Sequence, residues 1–299
     1  MGWSHQMKIA TSVYRPVWHA DQASLEARLE AWVADAANAG AQILVFPEYG
    51  GVEAAMIGER PEGLWAVAWA ERVADAAERW AQLHARLAQK YGVYILAGSL
   101  IARAAQGNVN RAYFLSPEGD IDWYDKLVPT PWERQAIALA PGQESKLFAT
   151  PFGKIGIQIC YDSEFPLFTR ALIERGADMI LVPSATDFEA GYTRVRQSCR
   201  ARAIESQCLI VHSPVLGPVE DCPLLEQGTG SAAIFCQPDY GLPQNGIIAQ
   251  GAVDAEGWVI AEVDPARISA SRTSGQVNNF AHWPEQDHRV NSVTTRPFR

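Results

Sequence analysis

The feature that most constrains this chain is an alternation of short apolar runs with amphipathic stretches. It continues to about residue 264 without repeat, low-complexity tract or Pro/Ser-rich linker. Short apolar runs bounded by Gly, Pro, Asn or Asp read as buried strands, and longer periodic stretches read as helices. Strands are expected at 8–13, 41–46, 93–100, 110–115 and 121–124, with Pro117, Glu118 and Gly119 turning the chain between the last two. A helix is expected over about 21–38. A longer one is expected over about 63–90, where Leu64, Val67, Val73, Leu83 and Leu87 recur at spacings that keep one face inward. The second half has the same style in a different sequence. It reads as a strand at 154–159, a helix at 166–174 stopped by Gly176, a strand at 179–182, a helix at 192–207, a strand at 209–212 and several strands between 230 and 263. Such a chain folds in layers, and the pattern leaves α/β and α+β both open. With 299 residues, 48% of them hydrophobic, one domain over 1–299 is expected, with its core at about 8–264. The polar tail at about 274–299 has no packing pattern of its own and is expected to be mobile or docked on another surface.

Charge and motif content narrow the function. A net charge of −9 with no basic run argues against a nucleic-acid surface, which needs clustered Lys and Arg. The six histidines lack ligand spacing, and there is no G-x-G-x-x-G or Walker pattern, so neither a metal nor a nucleotide cofactor is expected. The polar opening, with Gln6 breaking the myristoylation pattern, and the absence of a run of about eighteen apolar residues argue against a leader or membrane association. Five cysteines without a C-x-x-C pair fit free thiols in a reducing compartment, so a cytoplasmic protein is expected.

Three strand ends carry chemistry. Cys160 follows the apolar run 154–159, Glu48 follows 41–46, and Lys126 follows the short strand at 121–124. Each has a bland explanation alone: Cys160 as a buried core thiol, Glu48 and Lys126 as solvated charges. Together they supply what acyl transfer to a thiol needs without histidine. A thiol requires a base, and a tetrahedral intermediate requires a donor for its negative charge.

The segments FPEY at 46–49, DKLVPTPWER at 125–134 and GKIGIQICYD at 153–162 resemble the signature regions of the nitrilase superfamily, in order and at similar separations. Pro141–Gly142 and the stretch from Arg200 to Gln207 are similar to that family too, and the likeness runs from about 8 to 264. The FPEYGG and CYDSEFP segments resemble most an amidase-like group sometimes called Rim1-like. The resemblance implies Glu48 as general base and Cys160 as the nucleophile that forms a thioester or thioimidate. Lys126 and the Tyr161 N–H would hold the oxyanion. Glu133 would support the lysine and position substrate; the alternative is a surface carboxylate paired with Arg134. It implies a four-layer-forming α-β-β-α sandwich, a homodimer or higher even oligomer joined through the helical layer near the cysteine, and a tail lying across the partner. It also implies a small-molecule amide or carbamoyl substrate, because nitrile-cleaving members generally carry Trp-Glu after the cysteine and this chain has Tyr161–Asp162. A nitrilase with the same Cys-Glu-Lys machinery and acyl transfer to an amine both remain open beside amide hydrolysis, as does a catalytically silent binding protein of the same fold. A Cys–His amidotransferase or protease is disfavoured, since it needs a histidine base, and Cys160, flanked by Ile159 and Tyr161, does not sit in a G-x-C-x-G turn. Members acting on carboxylates often carry arginine where this chain has Ser163 and Glu164. Glu164 is therefore expected to read an amine or other donor on the substrate, unless it turns outward or pairs with Arg170 or Arg194.

Overall fold

The computed structural model describes residues 6–61 and 63–297, so the opening at 1–5 and the end of the tail at 298–299 lie outside the described residues. The first half runs β1 (Met7–Val13), α1 (Gln22–Asn38), β2 (Ile43–Phe46), α2 (Ala66–Tyr91), β3 (Tyr94–Ala104), β4 (Gly107–Leu115) and β5 (Ile121–Asp125). A short α3 (Pro131–Ala136) leads to β6 (Leu147–Thr150), β7 (Gly153–Ile157), α4 (Pro166–Glu174), β8 (Ala177–Ser184), α5 (Glu189–Ser206) and β9 (Leu209–Pro214). Then come β10 (Ala233–Phe235), β11 (Ile247–Gln250), β12 (Gly257–Val263), α6 (Pro265–Ser274) and α7 (Asn279–His282).

These strands form two six-stranded sheets, ordered β12-β1-β2-β3-β4-β5 and β11-β10-β9-β8-β7-β6. Each has three central parallel strands, β1-β2-β3 in one and β7-β8-β9 in the other, with antiparallel strands outside them. The two halves thus share one architecture. They are also interlocked, because β12 leaves the second half to pair with β1 from Met7↔Val263 to Val13↔Gly257.

Strand alternation builds the layers. Met7, Ile9, Ile43 and Val45 share a core with Ile157, Met179, Leu181 and Val211 across the two sheets. Their neighbours Ala10, Leu44 and Phe46 pack instead with Leu25, Leu29, Val73 and Trp80 of α1 and α2. On the other outer face α4 and α5 contribute Leu172, Ile173, Val195 and Ala203. The result is the α-β-β-α sandwich, which settles the choice that strand and helix patterning left open.

Local chemistry moves several boundaries. α1 starts at Gln22 because Asp21 is its cap, accepting from Ser24 N while the Ser24 hydroxyl accepts from Asp21 N. α2 starts at Ala66, later than expected, and Val67 is 54% exposed; its inward face runs through Trp69, Val73, Trp80, Leu83 and Leu87. The strand expected to reach 159 stops at Ile157, ahead of a 3-10 turn, Cys160–Glu164. The tail has local structure of its own. Residues 279–286 form α7 and a 3-10 turn that dock on this chain's own helices, with the rings of Phe280 and Trp283 each 4.8 Å from the Arg170 guanidinium. Phe280 N donates to Gln207 Oε1 at 3.0 Å, fixing the same segment to the end of α5. Among the described residues, no helix is long and apolar enough to cross a membrane.

Candidate active site

Cys160 opens its turn with φ 47, a left-handed conformation that a residue bearing a Cβ adopts at a cost of about 1–3 kcal/mol. This kink swings the thiol off the end of β7, where Sγ donates to the Ala185 carbonyl at 3.6 Å. Ala185 follows β8, and its N–H donates to Glu48 Oε2 at 2.7 Å. Glu48 lies just beyond β2. Its Oε1 accepts from Lys126 Nζ at 2.8 Å and Asn110 Nδ2 at 2.9 Å, and Cys160 lines the same cavity.

Lys126 follows β5 and is 1% exposed. Its backbone is held by Asn110 O at 2.9 Å and by Gly142 N at 2.7 Å; any side chain at Gly142 would collide with the Asp125 backbone. Its ammonium sits between Glu48 and Glu133, 2.8 Å from each. Glu133 is aimed inward by a capping box at the start of α3: Glu133 N donates to Thr130 Oγ1 at 3.2 Å, and Glu133 Oε2 accepts from Thr130 N at 2.6 Å. Oε1 accepts from Tyr49 OH at 2.6 Å and Asn110 Nδ2 at 2.9 Å. Glu133 therefore faces Lys126, while Arg134 turns away to donate to Pro129 O. Tyr161 sits second in the cysteine turn, where a backbone N–H has no partner inside the helix.

Burial and charge set the protonation of this cluster. Burial raises the Glu48 pKa, with Lys126 opposing and Glu133 adding. Burial and then the Glu48 charge push the Cys160 thiol well above its ordinary value. Burial works against the Lys126 charge, but Glu133 and Glu48 outweigh it and hold the ammonium well above the lysine range. Burial of Glu133 is likewise outweighed, chiefly by Lys126, so its carboxyl stays below normal. The resting site is a neutral thiol beside a carboxylate of raised proton affinity, with a fixed cation next to both. Such a set can move a proton from sulfur to Glu48 and offer positive charge to a developing oxyanion.

The cluster lies at the floor of a cavity of about 710 Å³, walled by Trp132, Tyr161, Phe188, Leu224 and Leu225. Glu164 lines the cavity too, with Arg194 Nε 3.5 Å from its carboxylate. Asp187 and Glu226 are further lining acids, and burial with Glu226 nearby raises the Asp187 pKa. Among the described residues, no group of three or more His, Cys, Asp or Glu is placed to share a metal ion. Sequence reasoning missed Tyr49, Asn110 and Ala185. An asparagine inside the apolar strand β4 was a usable signal for the second; Ala185 acts through its backbone and left none.

The family model described as carbon-nitrogen hydrolase matches residues 4–273. The chain belongs to the carbon–nitrogen hydrolase family. Among relatives of this hydrolase, a probable hydrolase, YhcX, of Bacillus subtilis is 32% identical over 253 residues, 85% of this chain. The chain spans about half, 49%, of that protein's length. A deaminated glutathione amidase of Synechocystis is 28% identical, covering 85% of this chain and 88% of its own. A bifunctional nitrilase/nitrile hydratase, NIT4A, of Lupinus angustifolius is 26% identical, covering 89% and 82%. The fold is shared with an amidase from Nesterenkonia sp. AN1, solved with the acetamide moiety of fluoroacetamide added covalently at its active-site cysteine (TM-score 0.69, 21% identity, 96% and 97% covered). It is shared too with Nit3 of Saccharomyces cerevisiae, a nitrilase-superfamily member (TM-score 0.70, 20% identity, 92% and 96% covered). The chain is thus a member of the carbon–nitrogen hydrolase family with the nitrilase-superfamily fold.

Proposed function

We propose that the enzyme hydrolyses a small amide or carbamoyl compound through a Cys160 thioester. The observation that carries this reading is Glu48, whose carboxylate is bracketed by Lys126 Nζ and the Ala185 N–H while the Cys160 thiol bonds the carbonyl of the same Ala185. Glu48 takes the Cys160 proton as sulfur attacks the carbonyl carbon, and the oxyanion forms between Lys126 Nζ and the Tyr161 N–H. Collapse breaks the C–N bond, and the proton on Glu48 passes to the departing amine. Glu48 then takes a proton from water, the hydroxide attacks the thioester, and the released thiolate recovers the proton as the acid leaves. The covalent adduct in the Nesterenkonia amidase supports the same kind of nucleophile here. The same acyl-enzyme would serve acyl transfer if an amine replaced water.

Substrate charge follows from the cavity wall. Glu164, the residue expected to read an amine, is compensated by Arg194. Asp187 and Glu226 add two further acids to the wall, so a neutral or cationic substrate is favoured and a carboxylate meets repulsion at a partly desolvated site. The test is turnover of matched amides ending in an ammonium, a neutral group or a carboxylate, beside nitrile analogues, with mass spectrometry of the trapped protein. The expected result is an acyl adduct on Cys160, no turnover by Cys160→Ala and the carboxylate as the poorest amide. An adduct on Cys199 or Cys208 with Cys160→Ala active would falsify the thioester reading.

A further inference from the structure

We propose that Asp162 is a positioning residue that fixes the separation of the two oxyanion donors, by tying the cysteine turn directly to the lysine segment; this rests on the thioester reading above. Asp162 is fully buried and is not among the residues lining the cavity, so it acts on substrate only through others. Its Oδ2 accepts from Tyr124 OH at 2.8 Å and Leu127 N at 3.1 Å, and its Oδ1 accepts from Val128 N at 2.9 Å. Those donors stand on both sides of Lys126 in the chain. On its own side Asp162 is locked into the turn that begins at Cys160. Its N–H donates to Ile159 O at 3.0 Å, and its carbonyl accepts from Phe165 N at 3.2 Å.

Among the described residues no other hydrogen bond joins 124–128 to 158–165. The remaining backbone ties of Lys126 run to Asn110 and Gly142, away from the cysteine. One oxyanion donor, the Tyr161 N–H, is the neighbour of Asp162 in sequence; the other, Lys126, lies between the donors that grip its carboxylate. A buried carboxylate without a hydrogen-bonded cation is costly, and it persists here because two backbone N–H groups and a phenol converge on it. Oxyanion donors act through distance, so a carboxylate that sets their spacing controls turnover without touching substrate.

The experiment compares two reactions of the same thiol in the full-length protein. Amide hydrolysis passes through an oxyanion. Iodoacetamide alkylation does not: sulfur displaces iodide at a saturated carbon while the thiol proton goes to Glu48. Asp162→Asn keeps the shape but turns one acceptor into a donor facing an N–H. The expected result is a fall in kcat of about tenfold or more with KM nearly unchanged, while Cys160 is alkylated at close to the wild-type rate. Unchanged kcat overturns the proposal, and so does a parallel loss of alkylation, which would mark general damage to the turn. If Asp162→Asn does not fold, Tyr124→Phe removes one of the three donors and should lower kcat several-fold with alkylation intact; equal losses, or none, overturn the idea. Wild-type turnover that survives Cys160→Ala would instead remove the thioester reading beneath it.

Discussion

Cys160 is a poor acid where it sits. Burial and the neighbouring Glu48 charge both favour the thiol, so nucleophile formation must coincide with proton transfer to Glu48. The cluster makes that transfer inexpensive in charge. Glu48, Glu133 and Lys126 sum to one negative charge beforehand, and the thiolate, Glu133 and Lys126 sum to the same afterwards. The negative charge moves from one neighbour of Lys126 to another, and the ammonium need not be resolvated. Glu48→Gln removes the acceptor while retaining a group able to bond Ala185 N. It should leave thermal unfolding within a few degrees of wild type and lower kcat by about 10²–10⁴-fold. A folded Glu48→Gln enzyme with normal turnover would rule out the base role. The other buried thiols offer no such partner: burial pushes Cys199 and Cys208 to about 12 and Cys222 and Cys236 to about 11.

At the scale of elements, Glu48, Lys126, Cys160 and Glu133 are aimed by the end of a strand or the first turn of a helix. α3 shows this most clearly, because six residues form a helix only with Pro131 at its first position and Thr130 as its cap. Thr130→Ala should lower stability by about 1 kcal/mol. It should also reduce kcat more than that loss explains, since Glu133 rides on the same turn; Thr130→Ser should restore both. Calorimetry beside steady-state kinetics checks this, and a stability loss with unchanged kcat would separate the cap from the site. The same scale shows what the sequence made legible. Apolar runs ending in Glu48, Lys126 and Cys160 could be read because strand ends display their next residue at an edge. Asn110 was obscured by an apolar strand, the Ala185 contacts are backbone contacts, and Asp162 was read only as part of a motif. The docking of 279–286 was hidden for another reason. Its partners, Arg170 and Gln207, are polar residues on distant helices and leave no apolar period in the tail.

For the whole molecule, acid sensitivity follows from two histidines sealed in the sandwich. Burial lowers both His84 and His212 to about 4, against 6.5 for the unfolded chain. Between those values the unfolded state binds more protons, so stability present above about pH 6.5 is lost as pH falls toward 4, by about 3 kcal/mol for each histidine. Asp162 works the other way. Burial raises it to about 6, so its folded carboxyl takes up a proton before the unfolded one does and offsets part of the loss. Urea midpoints at pH 7.5, 5.5 and 4.5 should fall in that order, and His84→Gln or His212→Gln should flatten the trend; a pH-independent midpoint would refute it. The helical face presents Leu167, 70% exposed, on α4 and Ile204, 40% exposed, on α5. This apolar surface supports the proposal of a homodimer through that layer. Light scattering should give twice the chain mass at micromolar concentration, and Leu167→Glu should halve it; a monomeric wild type would contradict the proposal.

The return of β12 to the first sheet has a consequence during synthesis. β1 leaves the ribosome long before its antiparallel neighbour, from Gly257 to Val263. Until then one flank of the first sheet is an open edge of apolar strand, a surface that invites pairing with other chains. The second half meanwhile has emerged with its own sheet complete. Nascent chains stalled before residue 257 should therefore be captured by strand-binding chaperones, and release should require only the few residues that close the edge.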